Sequence, residues 1–219
     1  MTEKIIRVLK ERPLFFFKYV RTHLLFQRTR FLIRLLRMLK IYPESIQIGI
    51  GTRVQRLGCL LLEMPSSSIH VGKHGIIYEN AKIEAYGEGK LQIGDFSVIG
   101  DARIYCRAKV QIGDRFLTSW NVLIQDYDPH PIDPRLRGKQ VEGMCGFTNG
   151  IPEWAFPSDP VWIGDDVWLG ANVTILKGVR IGSGSIVAAN SVVSAGDYPA
   201  RSLLAGAPAK IIKLIEAES

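Results

Sequence analysis

Between Ile163 and Asp197 the chain repeats itself every six residues, and few folds can absorb such a period. Apolar side chains stand at Ile163, Leu169, Ile175, Ile181, Val187 and Val193 without a missed beat. Four residues after each come Val167, Val173, Val179, Ser185, Ser191 and Asp197, mostly small or β-branched. The residue that follows each apolar one is Gly164, Gly170, Leu176, Gly182, Ala188 or Ser194, so small residues dominate there too. A helix repeats at about 3.6 residues and a flat strand at about two, so neither explains a sustained six. A short fixed period is the mark of a solenoid. Three such units close one triangular coil, with the apolar residue inward and the small residue at the corner. The pattern therefore predicts an all-β solenoid, a parallel β-helix.

A second run reads Ile93, Ile99, Tyr105 and, after one extra residue, Ile112, Thr118, Ile124. Ile/Val-Gly pairs at Ile48-Gly49, Val71-Gly72 and Ile93-Gly94 extend a looser version toward Ile46. Between Gln125 and Pro160 the period vanishes into a segment rich in proline and glycine. A long aperiodic stretch inside a regular solenoid projects from one face and is a place to look for function.

The repeat, the loop Asp128-Pro129-His130-Pro131 and the tail Ala205-Gly206-Ala207-Pro208-Ala209-Lys210 resemble the hexapeptide-repeat acyltransferases. The similarity is greatest to the galactoside, maltose, nodulation-factor and polysaccharide O-acetyltransferases. It is dense over residues 91–213, weak over 43–90, and stops before residue 43. The resemblance implies a left-handed β-helix, a homotrimer, and acetyl transfer from acetyl-CoA to a carbohydrate acceptor. It implies no metal.

Charge is unevenly placed. Residues 1–42 hold eleven Lys/Arg against Glu3 and Glu11, a surplus of nine, while the whole chain carries a formal +7. The remainder is thus close to neutral. Residues 3–11 and 14–40 read as helices parted at Pro13, with Leu24, Leu25, Phe31, Leu32, Leu35, Leu36 and Leu39 recurring at helical spacing. Three units follow: a basic amphipathic helical arm over 1–42, the β-helix over 43–200 with its extended loop at 125–160, and a cap over 201–219. Ile211, Ile212, Leu214 and Ile215 predict a short capping helix there. Phe15, Phe16 and Phe17 with the basic residues suit the arm to peripheral contact with a membrane surface. No recognised nucleic-acid motif accompanies the charge, so nucleic acid is not an expected partner.

The start has no secretory pattern and the chain no run of 18 apolar residues. Cys59, Cys106 and Cys145 are odd in number and in no metal or disulfide spacing. A cytoplasmic location, peripheral to the inner membrane surface, is the corresponding expectation. His70 and His74 lie four apart, and a histidine zinc site would need a third ligand for which His130, in a proline-rich loop, is the only later candidate.

His130 is the candidate catalytic residue. An imidazole titrates near neutrality and can take the proton of a sugar hydroxyl as that oxygen attacks a thioester. In the resembling enzymes a His-Pro pair at this place carries the base. Its orienting partner is left open among Asp126, Asp128, Asp133, Glu142 and Glu153. The resemblance assigns Trp168, in Gly-Asp-Asp-Val-Trp-Leu-Gly, to the pantetheine arm of CoA. It assigns Ala171, Ala189 and Ser194 to backbone contacts and Lys210 and Lys213 to the nucleotide phosphates. Ala195 departs from the family's usual lysine. Asn121 and Asp101 are candidate acceptor contacts. N-acetylation of an amino nucleotide-sugar and a non-catalytic trimeric membrane-surface scaffold remain alternatives.

Overall fold

A computed structural model describes residue 24 and residues 27–36, 38–39, 43–146 and 156–216. The expected helix over 3–11 and the break at Pro13 lie outside these residues, as does Glu153. From Ile46 onward the chain winds as a left-handed parallel β-helix of about 7 turns. Each turn lays one short strand on each of three faces. The first face stacks seven strands from Ile46–Ile48 to Gly196–Tyr198 and the third stacks six. The second holds eight, because the chain's last strand joins it.

Register explains why the six-residue period was visible. On the first face Val71, Ile93, Ile112, Ile163 and Ile181 stand directly over one another. On the second face Ile77 pairs with Ile99 and Leu169 with Val187, with Thr118 in the coil between, and Ile104, Ile124, Ile175 and Val193 stack on the third. The apolar ones are all buried in one continuous core. Each such side chain removed from water contributes about 1.5–3 kcal/mol. One position departs from the expected pattern. Tyr105 faces outward and is only half-buried, while Ile104 and Cys106 point inward. Two residues separate Ile99 from Ala102 where three separate Thr118 from Val122 in the next coil, so the inward positions fall one residue early and Tyr105 turns to the other face.

The corners are held by polar ladders. Where the first face meets the second, the Oδ1 atoms of Asp95, Asp114 and Asp165 accept the N–H groups of Lys73, Asp95 and Asp114 at 2.7–2.8 Å. Side-chain room is absent beside them: a Cβ on Gly164 would come within 2.6 Å of Ser183 N. Where the second face meets the third, Asn121, Asn172 and Asn190 adopt φ of 54°, 59° and 61°. Asparagine tolerates that conformation better than other side chains. Their amides bond in series, Asn121 Nδ2 to Asn172 Oδ1 at 2.9 Å and Asn172 Nδ2 to Asn190 Oδ1 at 3.0 Å.

Both ends of the solenoid are covered. Residues 27–36 form a helix across the first coil. Ile33 is buried against the core with Leu36 beside it, and Thr29 Oγ1 donates to Gln55 O at 3.1 Å. At the other end the expected capping helix is a hairpin. Ser202–Gly206 continues the second face, and Ala209–Leu214 turns back to pair with it antiparallel. The physical reason is the open edge left by the last coil, whose N–H and C=O groups a strand satisfies and a helix would not. The β-branched Ile211 and Ile212 suit that strand.

Candidate functional site

The excursion leaves the corner between the third and first faces after Val122–Gln125 and returns at Val161–Ile163. It is not structureless. Pro134–Met144 is a helix with Pro134 in its first turn, and Asp133 caps it by accepting from Arg135 N at 2.7 Å and Leu136 N at 3.3 Å. Asp-Pro is a legible helix start, and it was the signal available in the sequence. Arg137 Nη1 donates to Pro131 O at 2.8 Å and Ile132 O at 2.9 Å, tying the helix to the loop before it.

That helix positions His130. Its one buried side chain, Gln140, lies beneath the imidazole, with Oε1 3.0 Å from His130 Nδ1. Gln140 Nε2 donates to Pro129 O at 3.4 Å, which turns Oε1 toward the ring. An acceptor at that place requires the proton on Nδ1 and leaves the lone pair on Nε2. His130 itself is exposed, and among the described residues Nε2 takes no hydrogen bond. The arrangement is that of an oriented base with its reactive nitrogen toward solvent.

The orienting group is thus a neutral amide, which the search among carboxylates missed. Asp126, Asp128 and Asp133 have other work, and Glu142 is an exposed helix residue that makes no bond to the ring. Asp126 is fully buried and accepts from Arg107 N at 2.7 Å and Ala108 N at 2.9 Å, pinning the preceding corner. Burial holds its carboxyl above the usual range, against the pull of those N–H bonds. The same burial, with the Asp126 charge adding to it, pushes the neighbouring Cys106 thiol well up. Asp128 pairs with Lys177 of the next coil, fastening the start of the excursion. Asp133 is spent on its cap, and bonds from the Arg135 side chain and backbone hold it below the usual carboxylate range. Arg107 also stacks 3.6 Å from the centre of the Phe156 ring, near the returning end.

The other predicted positions form a second line on a different corner. Asp101, Asn121, Ala171 and Ala189 follow one another up the edge between the second and third faces. Ala171 O accepts from Asn190 N at 2.8 Å, but neither Ala171 nor Ala189 donates its own N–H to another described residue. Trp168 lies beside them on the second face, 45% exposed, with Nε1 3.4 Å from Ser119 Oγ. Lys210 and Lys213 extend the line on the final hairpin, opposite Ala205 and Leu203, and both are exposed. Ser194 departs from this grouping. It lies on the His130 corner, where Tyr198 Oη donates to its carbonyl at 3.1 Å.

Within one chain the two lines are separated by the third face, roughly 10 Å for strands such as Val122–Gln125. Asp101 and Trp120 also line a groove on the second line's corner with Tyr78 and Glu79, and Asn121 is not part of its lining. Among the described residues no three His, Cys, Asp or Glu side chains gather as metal ligands. His70 sits on the first face, and His74 stacks on Phe96 at 5.2 Å.

Residues 160–195 match the family described as bacterial transferase hexapeptide (six repeats), so the six-residue period is that repeat. No curated protein matches the chain. Among solved structures, a polySia-specific acetyltransferase is 24% identical over 80% of this chain and 83% of its own, with a TM-score of 0.56. A galactoside acetyltransferase in complex with coenzyme A is 21% identical over 89% and 82%, with a TM-score of 0.50. A mutant of an N-acyltransferase from Bacillus cereus, in complex with dTDP and coenzyme A, is 17% identical over 78% and 84%, with a TM-score of 0.57. These likenesses establish a shared fold.

Proposed function

We propose that this chain, whose coils carry the bacterial transferase hexapeptide repeat, is an acetyl-CoA-dependent O-acetyltransferase acting on a sugar hydroxyl, in the building of a cell-surface polysaccharide. The observation that carries the reading is His130, held by Gln140 with Nε2 free at the mouth of the excursion. Acetyltransferases and a coenzyme A complex among the structures of the same fold supply the reaction class.

Catalysis then follows from placement. His130 Nε2 accepts the acceptor's hydroxyl proton as the oxygen attacks the thioester carbonyl, and the tetrahedral intermediate collapses with loss of the CoA thiolate. The imidazolium returns its proton to that sulfur, so the products are a sugar acetate and free CoA. No acyl-enzyme is needed. Neither Cys59 nor Cys106 could serve as its nucleophile, since both are buried with thiol pKa values raised chiefly by desolvation.

Ala171 and Ala189 N–H, Trp168 and the two tail lysines suit the acyl donor, as amide donors, an apolar wall and phosphate partners. Because that line and His130 occupy different corners, a complete site calls for His130 of one subunit facing the donor line of another. A cyclic homotrimer provides three such pairings.

The test is thiol release from acetyl-CoA by the full chain with sugar hydroxyls, amino nucleotide-sugars, or no acceptor. Release with a hydroxyl panel supports the reading. Release with amines alone replaces it with N-acetylation, and release with neither removes the enzyme reading.

A further inference from the structure

The helix across the first coil has two apolar sides where a cap needs one. At about 100° per residue, Thr29, Ile33 and Leu36 fall on one side, the side packed on the solenoid. Leu24, Phe31, Leu35, Met38 and Leu39 fall on the opposite side within an arc of about 100°. They are 61%, 64%, 38%, 82% and 57% exposed, so this side is largely open to solvent, Leu35 least so. An apolar stripe of that width marks a helix that buries a face, and here it is the face turned away from the core.

Cations accompany the stripe. Arg28 lies within it and Arg30 and Arg34 flank one side, all exposed and none in a salt bridge with another described residue. The surrounding sequence, residues 1–42, has its surplus of nine positive charges while the rest of the chain is nearly neutral. A surface that is apolar at its centre and cationic at its rim complements one that is apolar inside and anionic outside. No helix among the described residues is long and apolar enough to cross a membrane.

We propose that the outward face of this helix docks on an anionic lipid surface, with Phe31, Leu35 and Met38 entering the headgroup boundary and Arg28, Arg30 and Arg34 on acidic headgroups. The helix then joins two surfaces: Ile33 fastens it to the first coil and Phe31 fastens the coil to the bilayer. The solenoid axis is held at its N-terminal end, several coils from His130. The inference is independent of acyl transfer and stands or falls on lipid binding alone.

The experiment is co-sedimentation of the full chain with vesicles of phosphatidylcholine containing one-third phosphatidylglycerol, and with pure phosphatidylcholine. Binding is expected to the anionic vesicles at low salt and to weaken at high salt. F31S/L35S/M38S and R28E/R34E should each reduce the vesicle-bound fraction by about tenfold or more, with circular dichroism and melting temperature unchanged because all five side chains are exposed. No sedimentation of the wild type, equal binding to both vesicle types, or variants that bind as the wild type does would each overturn the proposal. So would a fall in oligomer mass in either variant without wild-type lipid binding, which would assign the stripe to a second copy of the chain.

Discussion

The regular coils of residues 161–198 and the excursion of residues 126–159 are neighbours that place functional groups by opposite means. In the coils a group's position is set by the backbone: Ala171 and Ala189 recur on one corner because Leu169 and Val187 stack beneath them. Their side chains are nearly interchangeable, and what they offer is an N–H. In the excursion a single imidazole is aimed by a single amide, which is aimed by a single carbonyl. Redundancy protects the first arrangement. The second has none.

That contrast breaks most sharply on a pair of substitutions. Ile175→Ala deletes a fully buried side chain from the third face and should cost about 2–5 kcal/mol of stability, read as a lower denaturant midpoint. His130→Ala should leave that midpoint unchanged while lowering kcat by about a hundredfold or more. If His130→Ala kept more than about a tenth of wild-type turnover, the base would have to be sought elsewhere.

Asp126 fastens the root of the excursion to the coil before it, and its loss should come next in size. Replacement by Asn removes an acceptor from the Arg107–Ala108 corner and should cost about 1–3 kcal/mol. The sign with pH is also fixed. Its folded pKa is raised, so the folded state holds the proton more tightly than the unfolded one, and this contribution favours folding in acid. It is full below about pH 4, the unfolded value, and declines as pH rises toward the raised one. Asp126→Asn should therefore flatten that part of the stability profile, and an unchanged slope in urea melts between pH 4 and neutrality would count against the assignment.

A smaller effect tests the excursion alone. Gln140→Leu should lower kcat about tenfold with KM nearly constant, since it frees the tautomer without touching substrate. Gln140→Glu keeps the acceptor and adds a negative charge beside the ring, so activity should recover while the acid limb of the pH–rate profile moves upward. A merely structural Gln140 would lower stability in both variants and leave the limb in place.

How much could be read in advance follows the same division. The period of six, with Gly164, Gly170 and Gly182 at corners, specified the coils because every turn repeats the same steric demand. His130 was legible through its chemistry and its Pro-flanked loop. Gln140 was not, because it reaches the ring only by way of the Pro134–Met144 helix, ten residues on. The tail was misread because Ile211, Ile212 and Leu214 fit a helix as readily as a strand, and only the unpaired edge of Ser202–Gly206 decides. Tyr105 was misplaced because the corner at Gly100 and Asp101 is one residue shorter than in the next coil, which no local signal announces.

The smallest expected effect lies in the coils, at the corner between the first and second faces. Arg115 Nη2 donates to Asp166 Oδ2 at 2.7 Å across adjacent turns, and this bond is the main reason the Asp166 carboxyl lies below its usual range. Such a depressed carboxyl lends stability above its unfolded value and loses it as pH falls through the folded one. Both partners are half-exposed, however, and water and salt screen the pair. The Asp95–Asp114–Asp165 ladder beside it binds the same turns through main-chain N–H groups and does not depend on Arg115. Arg115→Ala should accordingly leave the melting temperature at neutral pH, and turnover, indistinguishable from wild type. A clear drop in melting temperature would mean that the side-chain pair, rather than the backbone ladder, holds these coils in register.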